Sequence, residues 1–190
     1  MALFKTARLI VREFNLEDAP FVFKLVNEPS WIENIGDKNI HNIDDAKNYL
    51  LNGPMKSYRE NGFGLYLIEL KTTGMPIGMC GLVKREGLDC PDVGYALMPE
   101  FWGLGLASEA AKATLDFAKE ALSIERVLGV TSVENVGSIR VLEKIGLRFD
   151  QIIQLPGSEQ LSRLFIPIDE VGSSDGLINA ESEPLSESVT

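Results

Sequence analysis

Histidine and cysteine are scarce in this chain of 190 residues. It contains one histidine, His41, and two cysteines, Cys80 and Cys90. Two cysteines cannot build a disulfide framework, and no CxxC pair or histidine cluster predicts a metal site. A Ser-His-Asp mechanism would depend on His41 alone, which lies in a segment of loop-like sequence. We therefore expect chemistry without a metal and without such a triad.

Long apolar runs are also missing. No run approaches the ~20 residues that span a bilayer, and the N-terminal sequence MALFKTARLIVREF lacks the apolar core of a secretory signal. We therefore expect a cytoplasmic protein with no membrane partner. The length favours one domain, because ~100–200 residues commonly form one.

Negative charge is in excess, but it is unevenly spread. The chain has 18 Lys and Arg against 28 Asp and Glu, a net charge of −10, which disfavours binding to nucleic acid. Six of these ten excess charges lie in residues 169–190, a segment with no Lys, Arg or aromatic residue. Such a segment cannot bury enough apolar surface to offset its ordering entropy. We predict a folded domain over residues 1–168, with a net charge of −4, and a disordered acidic tail over 169–190.

The hydrophobic pattern predicts a mixed α/β domain, of the α+β kind. Segments with strand-like sequence are 7–14, 63–70, 75–83, 92–98, 126–130, 147–155 and 161–166. Segments with helical spacing are 15–28, 44–58 with a break at Asn52-Gly53-Pro54, 107–121 and 135–145. Residues 31–41 are predicted to be irregular.

A glycine-rich turn joins the strand at 92–98 to the helix at 107–121. Gly103 and Gly105 allow a ligand to approach the backbone closely. The helix start offers unpaired N–H groups and a positive dipole end, which bind phosphate without a lysine. The spacing is neither GxxxxGK[ST] nor a complete GxGxxG, since Ser108 fills the last glycine place. These residues alone fit a phosphate site or a plain tight turn.

Two motifs resemble those of the GNAT acetyltransferase superfamily. The segment WGLGLA at 102–107, followed by SEA, resembles its coenzyme A motif Gln/Arg-x-x-Gly-x-Gly/Ala. Trp102 replaces Gln or Arg, and Leu104 replaces a common basic residue. The segment NVGSIRVLEKIGL at 135–147 resembles the N-x-x-S-x-x-x-x-E-K-x-G-F helix. The form is similar to the Rim-type branch, which includes ribosomal-protein alanine acetyltransferases, and the resemblance covers residues 6–168.

The resemblance implies a GNAT fold. Its sheet is mixed and mostly antiparallel, with six to seven strands flanked by about four helices and a splay between the strands at 92–98 and 126–130. The implied activity is direct transfer of an acetyl group from acetyl-CoA to a primary amine, either a protein N-terminus or a small-molecule amine. The alternative is a non-catalytic acyl-CoA-binding module or sensor.

The same resemblance assigns the cofactor contacts. The backbone groups of Leu97 and Met98 would pair with the pantetheine arm, and a strand amide such as that of Met98 would face the acetyl oxygen. Trp102 and Gly103 would contact the cofactor, and its pyrophosphate would be held by the amides of Leu104, Gly105, Leu106, Ala107 and Ser108.

The catalytic residues are less clearly marked. The helix has Leu142 near the place of the tyrosine that many GNAT enzymes use, so the Rim-type branch suggests Ser138 as a hydrogen-bond donor to sulfur. Ser138 is alternatively a small residue that admits the pantetheine. Asn135 would contact the cofactor or cap the helix. Glu69 and Glu100 are candidate bases or solvated carboxylates, and a chain of waters would suffice for an α-amine.

The acceptor site is expected among residues that the fold places near the cleft. Trp31, Asn34, Phe63 and Tyr66 are the candidates, with a core role as the alternative for Trp31. A free α-amine has a pKa of ~7.7–8.0 against ~10.4 for lysine, so an N-terminal amine is easier to deprotonate. An exposed final strand would also suit a homodimer.

Overall fold

A computed structural model of the chain describes residues 1–169, so nearly all of the expected acidic tail lies outside the described residues. Within these residues the strands are β1 (Ala2–Lys5), β2 (Leu9–Arg12), β3 (Leu65–Leu70), β4 (Pro76–Val83), β5 (Asp92–Leu97), β6 (Leu128–Ser132), β7 (Leu147–Gln154) and β8 (Leu161–Pro167). The α-helices are α1 (Ala19–Val26), α2 (Pro29–Asn34), α3 (Ile43–Asn52), α4 (Pro54–Asn61), α5 (Leu106–Leu122) and α6 (Val136–Lys144).

The strands form one sheet in the order β1-β2-β3-β4-β5-β6-β8-β7. Strands β1 to β5 are an antiparallel meander, and β6, β8 and β7 are also antiparallel. The two halves meet where β5 and β6 run parallel, and there the register pairs Asp92 with Leu128 and Val93 with Gly129. Past Val93 the two strands are no longer in register, which forms the splay.

The expected fold class is confirmed, with differences in number. The sheet has eight strands rather than six to seven, and residues 1–169 hold six α-helices rather than about four. The final strand β8 lies inside the sheet, so β7 forms the exposed edge on that side. No helix in this described part combines the length and the apolarity needed to cross a bilayer.

Helices cover both faces of the sheet. Helices α1 and α3 pack with Leu67 in one buried cluster, and α5 and α6 pack with Ile68 in another. Leu67 and Ile68 are neighbours in β3, so their side chains point to opposite faces. Alternate residues of a strand therefore face different helical layers, that of α1 and α3 or that of α5 and α6.

Residues 29–34 form a helix, although irregular structure was expected from residue 31 onward. Glu28 is extended (φ −62°, ψ 135°) and Pro29 occupies the first helical position of α2. A proline disfavours the α region for the residue before it but suits a helix start, so Pro29 ends one helix and begins the next. The expected break at Asn52-Gly53-Pro54 is confirmed, and it separates α3 from α4.

Candidate functional site

The splay exposes one edge of β5. The Met98 N–H donates to the Ile77 carbonyl oxygen of β4 at 2.9 Å. Successive backbone groups in a strand point to alternate edges, so the N–H and C=O of Leu97 point toward the open side. The expectation that the Met98 amide faces the acetyl group is therefore wrong, because that amide is used inside the sheet. The Leu97 amide is the one that faces the splay.

The turn after β5 adopts a conformation that glycine favours. Gly103 and Gly105 have φ values of +72° and +74°, in the left-handed region. A Cβ on Gly103 would meet nothing within 4 Å, and one on Gly105 would have Arg8 Nη2 as its neighbour at 3.6 Å. The space in front of the turn is therefore open to a ligand.

Helix α5 begins directly behind this turn. Its N-cap is Gly105, which has no side chain to cap it, and the Glu109 N–H donates to the Gly105 carbonyl oxygen at 3.0 Å. The N–H groups of Leu106, Ala107 and Ser108 precede that bond and have no acceptor in the helix. Three donors at the positive end of a helix dipole fit a pyrophosphate group.

Trp102 and Leu104 flank the turn, and both are more than half exposed. The indole Nε1 of Trp102 donates to the Leu97 carbonyl oxygen at 2.8 Å. Trp102 thus fixes the turn against β5 from the place where the family motif has Gln or Arg.

Arg8 supplies the positive charge that Leu104 does not. Its Nη1 donates to the Leu104 carbonyl oxygen at 2.8 Å, and its Nε lies 2.6 Å from Glu109 Oε2. Although burial alone raises the pKa of Glu109, hydrogen bonds from Thr6 and Arg8 bring it below its usual value. Sequence reasoning missed Arg8, since no local pattern links it to a turn almost a hundred residues away.

Asn135 and Ser138 lie at the start of α6. Asn135 is the N-cap, and its Oδ1 accepts the Ser138 N–H at 2.9 Å. Ser138 also contacts Tyr95 of β5: the two hydroxyl oxygens are 2.8 Å apart, and Tyr95 donates to the Ser138 carbonyl oxygen at 3.0 Å. Sequence reasoning sought a tyrosine in the helix and missed this one in the strand.

The two candidate bases have different surroundings. Glu69 lies on β3, separated from β5 by β4, and its Oε1 is 2.8 Å from Arg12 Nη2. Arg12 also binds Asp18 at 2.8 Å, so Glu69 belongs to a largely buried ion-pair network away from the splay. This placement disfavours Glu69 as a base, because its carboxylate is engaged by Arg12. Glu100 lies two residues after Met98 and is exposed, with Oε1 3.7 Å from Lys24 Nζ.

Trp31 packs beside the splay, in the layer of α1 to α4. It is 5% exposed and belongs to the same buried cluster as Met98. Its indole Nε1 is buried and has no hydrogen-bond partner in the described part of the chain. Asn34 is exposed, and its Nδ2 donates to the Ser30 carbonyl oxygen of its own helix at 2.9 Å.

Phe63 and Tyr66 lie in the opposite layer. Phe63 belongs to the buried cluster of α5, and the Tyr66 ring meets Phe117 of α5 edge-on at 6.2 Å. The alternation of side chains along β3 sends Tyr66 to this face. The structure therefore does not bring Phe63 and Tyr66 together with Trp31 on one acceptor surface, which corrects that expectation.

Neither cysteine lies at the splay. Cys80 is fully buried, with its thiol 3.3 Å from Thr114 Oγ1, and burial raises its pKa to about 12. Cys90 lies before β5, next to the paired end of the strand. In residues 1–169 no cluster of His, Cys, Asp and Glu is arranged to hold a metal ion.

Comparison with known proteins agrees with this geometry. The family described as Acetyltransferase (GNAT) domain matches residues 8–148. The uncharacterized protein YkkB of Bacillus subtilis (strain 168) is 35% identical over 99 residues, which are 50% of this chain and 58% of YkkB. The uncharacterized N-acetyltransferase YnaD of the same organism is 28% identical over 143 residues, which are 75% of this chain and 81% of YnaD.

The fold is shared with a Rim-type enzyme whose structure contains coenzyme A. The structure of RimL, a ribosomal L7/L12 alpha-N-protein acetyltransferase in complex with coenzyme A, has a TM-score of 0.75 to this chain. The likeness covers 90% of this chain and 100% of RimL at 16% identity. From the matched domain, the relatives and the geometry of the splay and turn, this chain belongs to the GNAT acetyltransferase family and is an acetyl-CoA-dependent acetyltransferase.

Proposed function

We propose that the chain transfers the acetyl group of acetyl-CoA to a primary amine by direct attack, and that the amine is a protein N-terminus or a small-molecule amine. One observation carries the proposal: the open edge of β5, the uncapped start of α5 and Ser138 of α6 all border the splay. Acetyl-CoA supplies an acetyl group already activated as a thioester. The residues of the chain bind it, orient it and stabilise the charges that develop.

The turn and the start of α5 would hold the pyrophosphate. The donors are the amides of the turn and of the first helical residues: Gly103, Leu104, Gly105, Leu106, Ala107 and Ser108. Arg8 adds a positive charge at the turn. The edge of β5 at Leu97 would pair with the pantetheine arm, and the Trp102 indole would lie beside it.

Two donors border the point where the acetyl group would lie. The Leu97 amide faces the splay and would stabilise the negative charge that grows on the acetyl oxygen. The Ser138 hydroxyl would donate to the leaving sulfur as it gains charge. Asn135 Oδ1 accepts the capping hydrogen bond of α6, so a contact of Asn135 with the cofactor would use Nδ2.

Direct attack is supported by the surroundings of the two thiols. Cys80 is buried with a raised pKa, and Cys90 is at the paired end of β5, so neither is placed to carry an acetyl group. The attacking amine must be neutral, which favours an α-amine near neutral pH. Glu100, exposed beside Met98, is the remaining candidate to accept the amine's proton through water.

An N-terminal amine also suits Trp31. A buried N–H without a partner costs about 1–3 kcal/mol. A peptide acceptor has a carbonyl group next to its first amine, and this group would bind the indole N–H once the side chains that cover it move aside. RimL, whose fold is similar, is described as an alpha-N-protein acetyltransferase. Asn34 is exposed at the end of α2, and a contact with the acceptor would require its side chain to leave the Ser30 carbonyl.

A panel of amines tests the proposal. Peptides with free N-termini, polyamines and amino-sugars are incubated with acetyl-CoA, and both thiol release and the acetyl mass increase on the amine are measured. Acetylated product with matching thiol release is expected. Tight coenzyme A binding without thiol release would instead indicate the non-catalytic acyl-CoA-binding alternative.

We also propose a cytoplasmic location, which the two free thiols suit because cytosolic cysteines are kept reduced. A homodimer would use the exposed edge of β7, where Phe149 and Ile152 are exposed. Size-exclusion chromatography with light scattering measures the state, and a monomer at all concentrations would exclude the dimer.

A further inference from the structure

Tyr95 contacts Ser138 at the base of the splay. Tyr95 lies two residues beyond Val93, the last residue of β5 that is in register with β6. Its hydroxyl oxygen is 2.8 Å from Ser138 Oγ and 3.0 Å from the Ser138 carbonyl oxygen. The contact therefore joins the strand to α6 at the place where β6 leaves β5.

The number of hydrogens determines how the two hydroxyls share these bonds. A phenol has one hydrogen, and a carbonyl oxygen only accepts. When Tyr95 donates to the Ser138 carbonyl, the Ser138 hydroxyl must donate to Tyr95. The Ser138 hydroxyl thus donates its hydrogen bond to the Tyr95 oxygen. Rotation about the Ser138 Cβ–Oγ bond turns this hydrogen toward another acceptor. Tyr95 then donates to Ser138 Oγ.

Hydrogen bonding and burial restrain the residues around this pair. Asn135 Oδ1 binds the Ser138 N–H at 2.9 Å. Tyr95 is opposite Cys80 in the β4–β5 register, and Cys80 is fully buried. Burial raises the pKa of Tyr95, so its phenol stays neutral. The hydroxyl hydrogens can rotate without a change in the positions of the two oxygens.

We propose that Tyr95 is a positioning residue that acts through Ser138, holding the Ser138 hydroxyl at the splay and donating to its oxygen when that hydroxyl turns to the leaving sulfur. The inference rests on the proposed function, in which Ser138 donates to sulfur. No bond to Tyr95 forms or breaks: the C–S electron pair stays on sulfur, and the amine's proton leaves through solvent. A phenol thus reaches α6 from the strand, although the helix has Leu142 where the family's tyrosine was expected.

A double-mutant cycle tests the inference. Tyr95→Phe, Ser138→Ala and the double variant are compared by the kcat of thiol release and the KM for acetyl-CoA. Tyr95→Phe should lower kcat about tenfold, the effect of one hydrogen bond, with KM nearly unchanged. In the Ser138→Ala background, Tyr95→Phe should change kcat less than about twofold. Tyr58→Phe is the matched control, since this phenol is partly buried and donates to the Leu65 carbonyl away from the splay; its kcat should stay at the wild-type value.

The outcomes separate the inference from the proposed function. Wild-type kcat in Ser138→Ala would remove the proposed role of Ser138, and the Tyr95 inference with it. Reduced kcat in Ser138→Ala together with wild-type kcat in Tyr95→Phe would overturn the Tyr95 inference alone. Equal losses from Tyr95→Phe in both backgrounds would also overturn it, because Tyr95 would then act independently of Ser138.

Discussion

Arg8 and Glu109 form an ion pair that ties the β1–β2 connection to the first turn of α5, with Nε and Oε2 2.6 Å apart. The pair directs the guanidinium to the Leu104 carbonyl and past Gly105. Arg8→Ala should therefore raise the KM for acetyl-CoA about three- to tenfold, since a charge-assisted contact to phosphate is lost. Steady-state kinetics with acetyl-CoA as the varied substrate measure this.

The matched control is Lys112→Ala. Lys112 is an exposed cation on the same helix, paired with Asp116, and its removal should leave this KM unchanged. An equal rise in both variants would show that overall charge, not the position of Arg8, is responsible.

Gly105→Glu should abolish coenzyme A binding. The substitution places a side chain at φ +74°, a backbone conformation that glycine adopts without strain. It also brings a negative charge to the proposed pyrophosphate site. Isothermal titration calorimetry with coenzyme A measures the loss. Gly62→Glu is the control, because Gly62 has φ +76° at the C-terminal end of α4, outside the glycine-rich turn; retained binding in Gly105→Glu would move the cofactor elsewhere.

Trp31→Phe tests the buried indole N–H. The change keeps a large aromatic ring and removes a donor that has no partner in the described chain. The free energy of unfolding should therefore fall only by the small amount that the smaller buried area of the phenylalanine ring accounts for. The KM for a peptide acceptor should rise several-fold, as one hydrogen bond is lost, while the KM for acetyl-CoA stays constant. An unchanged acceptor KM would make Trp31 a core residue only.

The two cysteines should differ in reactivity. Burial keeps Cys80 from reagents and raises its pKa to about 12, whereas Cys90 is partly exposed. One thiol per chain should react quickly with a disulfide reagent in native buffer, and two in denaturant. Cys90→Ser should abolish the fast reaction; a fast thiol that persists in this variant would show that Cys80 is accessible.

Cys80 also makes stability depend on pH. Its folded pKa of about 12 exceeds the usual ~8.5. The neutral thiol therefore contributes to the free energy of unfolding at neutral pH, and this contribution is lost as pH rises above ~8.5, when the unfolded thiol ionises. Between pH 8 and 10 the loss should be about 2 kcal/mol. Urea unfolding of the wild type and Cys80→Ala at both pH values isolates this term, and equal pH slopes would contradict it.

The parts of the site that follow from local sequence were predictable. Gly103 and Gly105 before a helix indicate a turn whose backbone a ligand can approach, and Asn135 before α6 is a candidate N-cap. The structure gives both glycines positive φ and makes Asn135 the N-cap. What could not be predicted depends on strand phase. A period of two does not say which of Leu97 and Met98 faces the splay, and the hydrogen bond from Met98 to Ile77 decides it.

Long-range contacts were the other limit. Tyr95 meets Ser138 across 43 residues and Arg8 meets Glu109 across 101, and no local pattern encodes either pair. The helix α2 was missed for a different reason. Pro29 is a signal both for the end of α1 and for the start of another helix, and the packing of Trp31 in the core shows that a helix does start there.

The parallel junction of β5 and β6 has a mechanical consequence. Two antiparallel half-sheets are joined there by a register of only two residue pairs, so this is the weakest joint of the sheet. A ligand seated in the splay bridges the halves and stabilises the native state by an amount that grows with the logarithm of its concentration above Kd. Coenzyme A should therefore slow amide hydrogen exchange on both sides of the junction, in β5 as well as in β6.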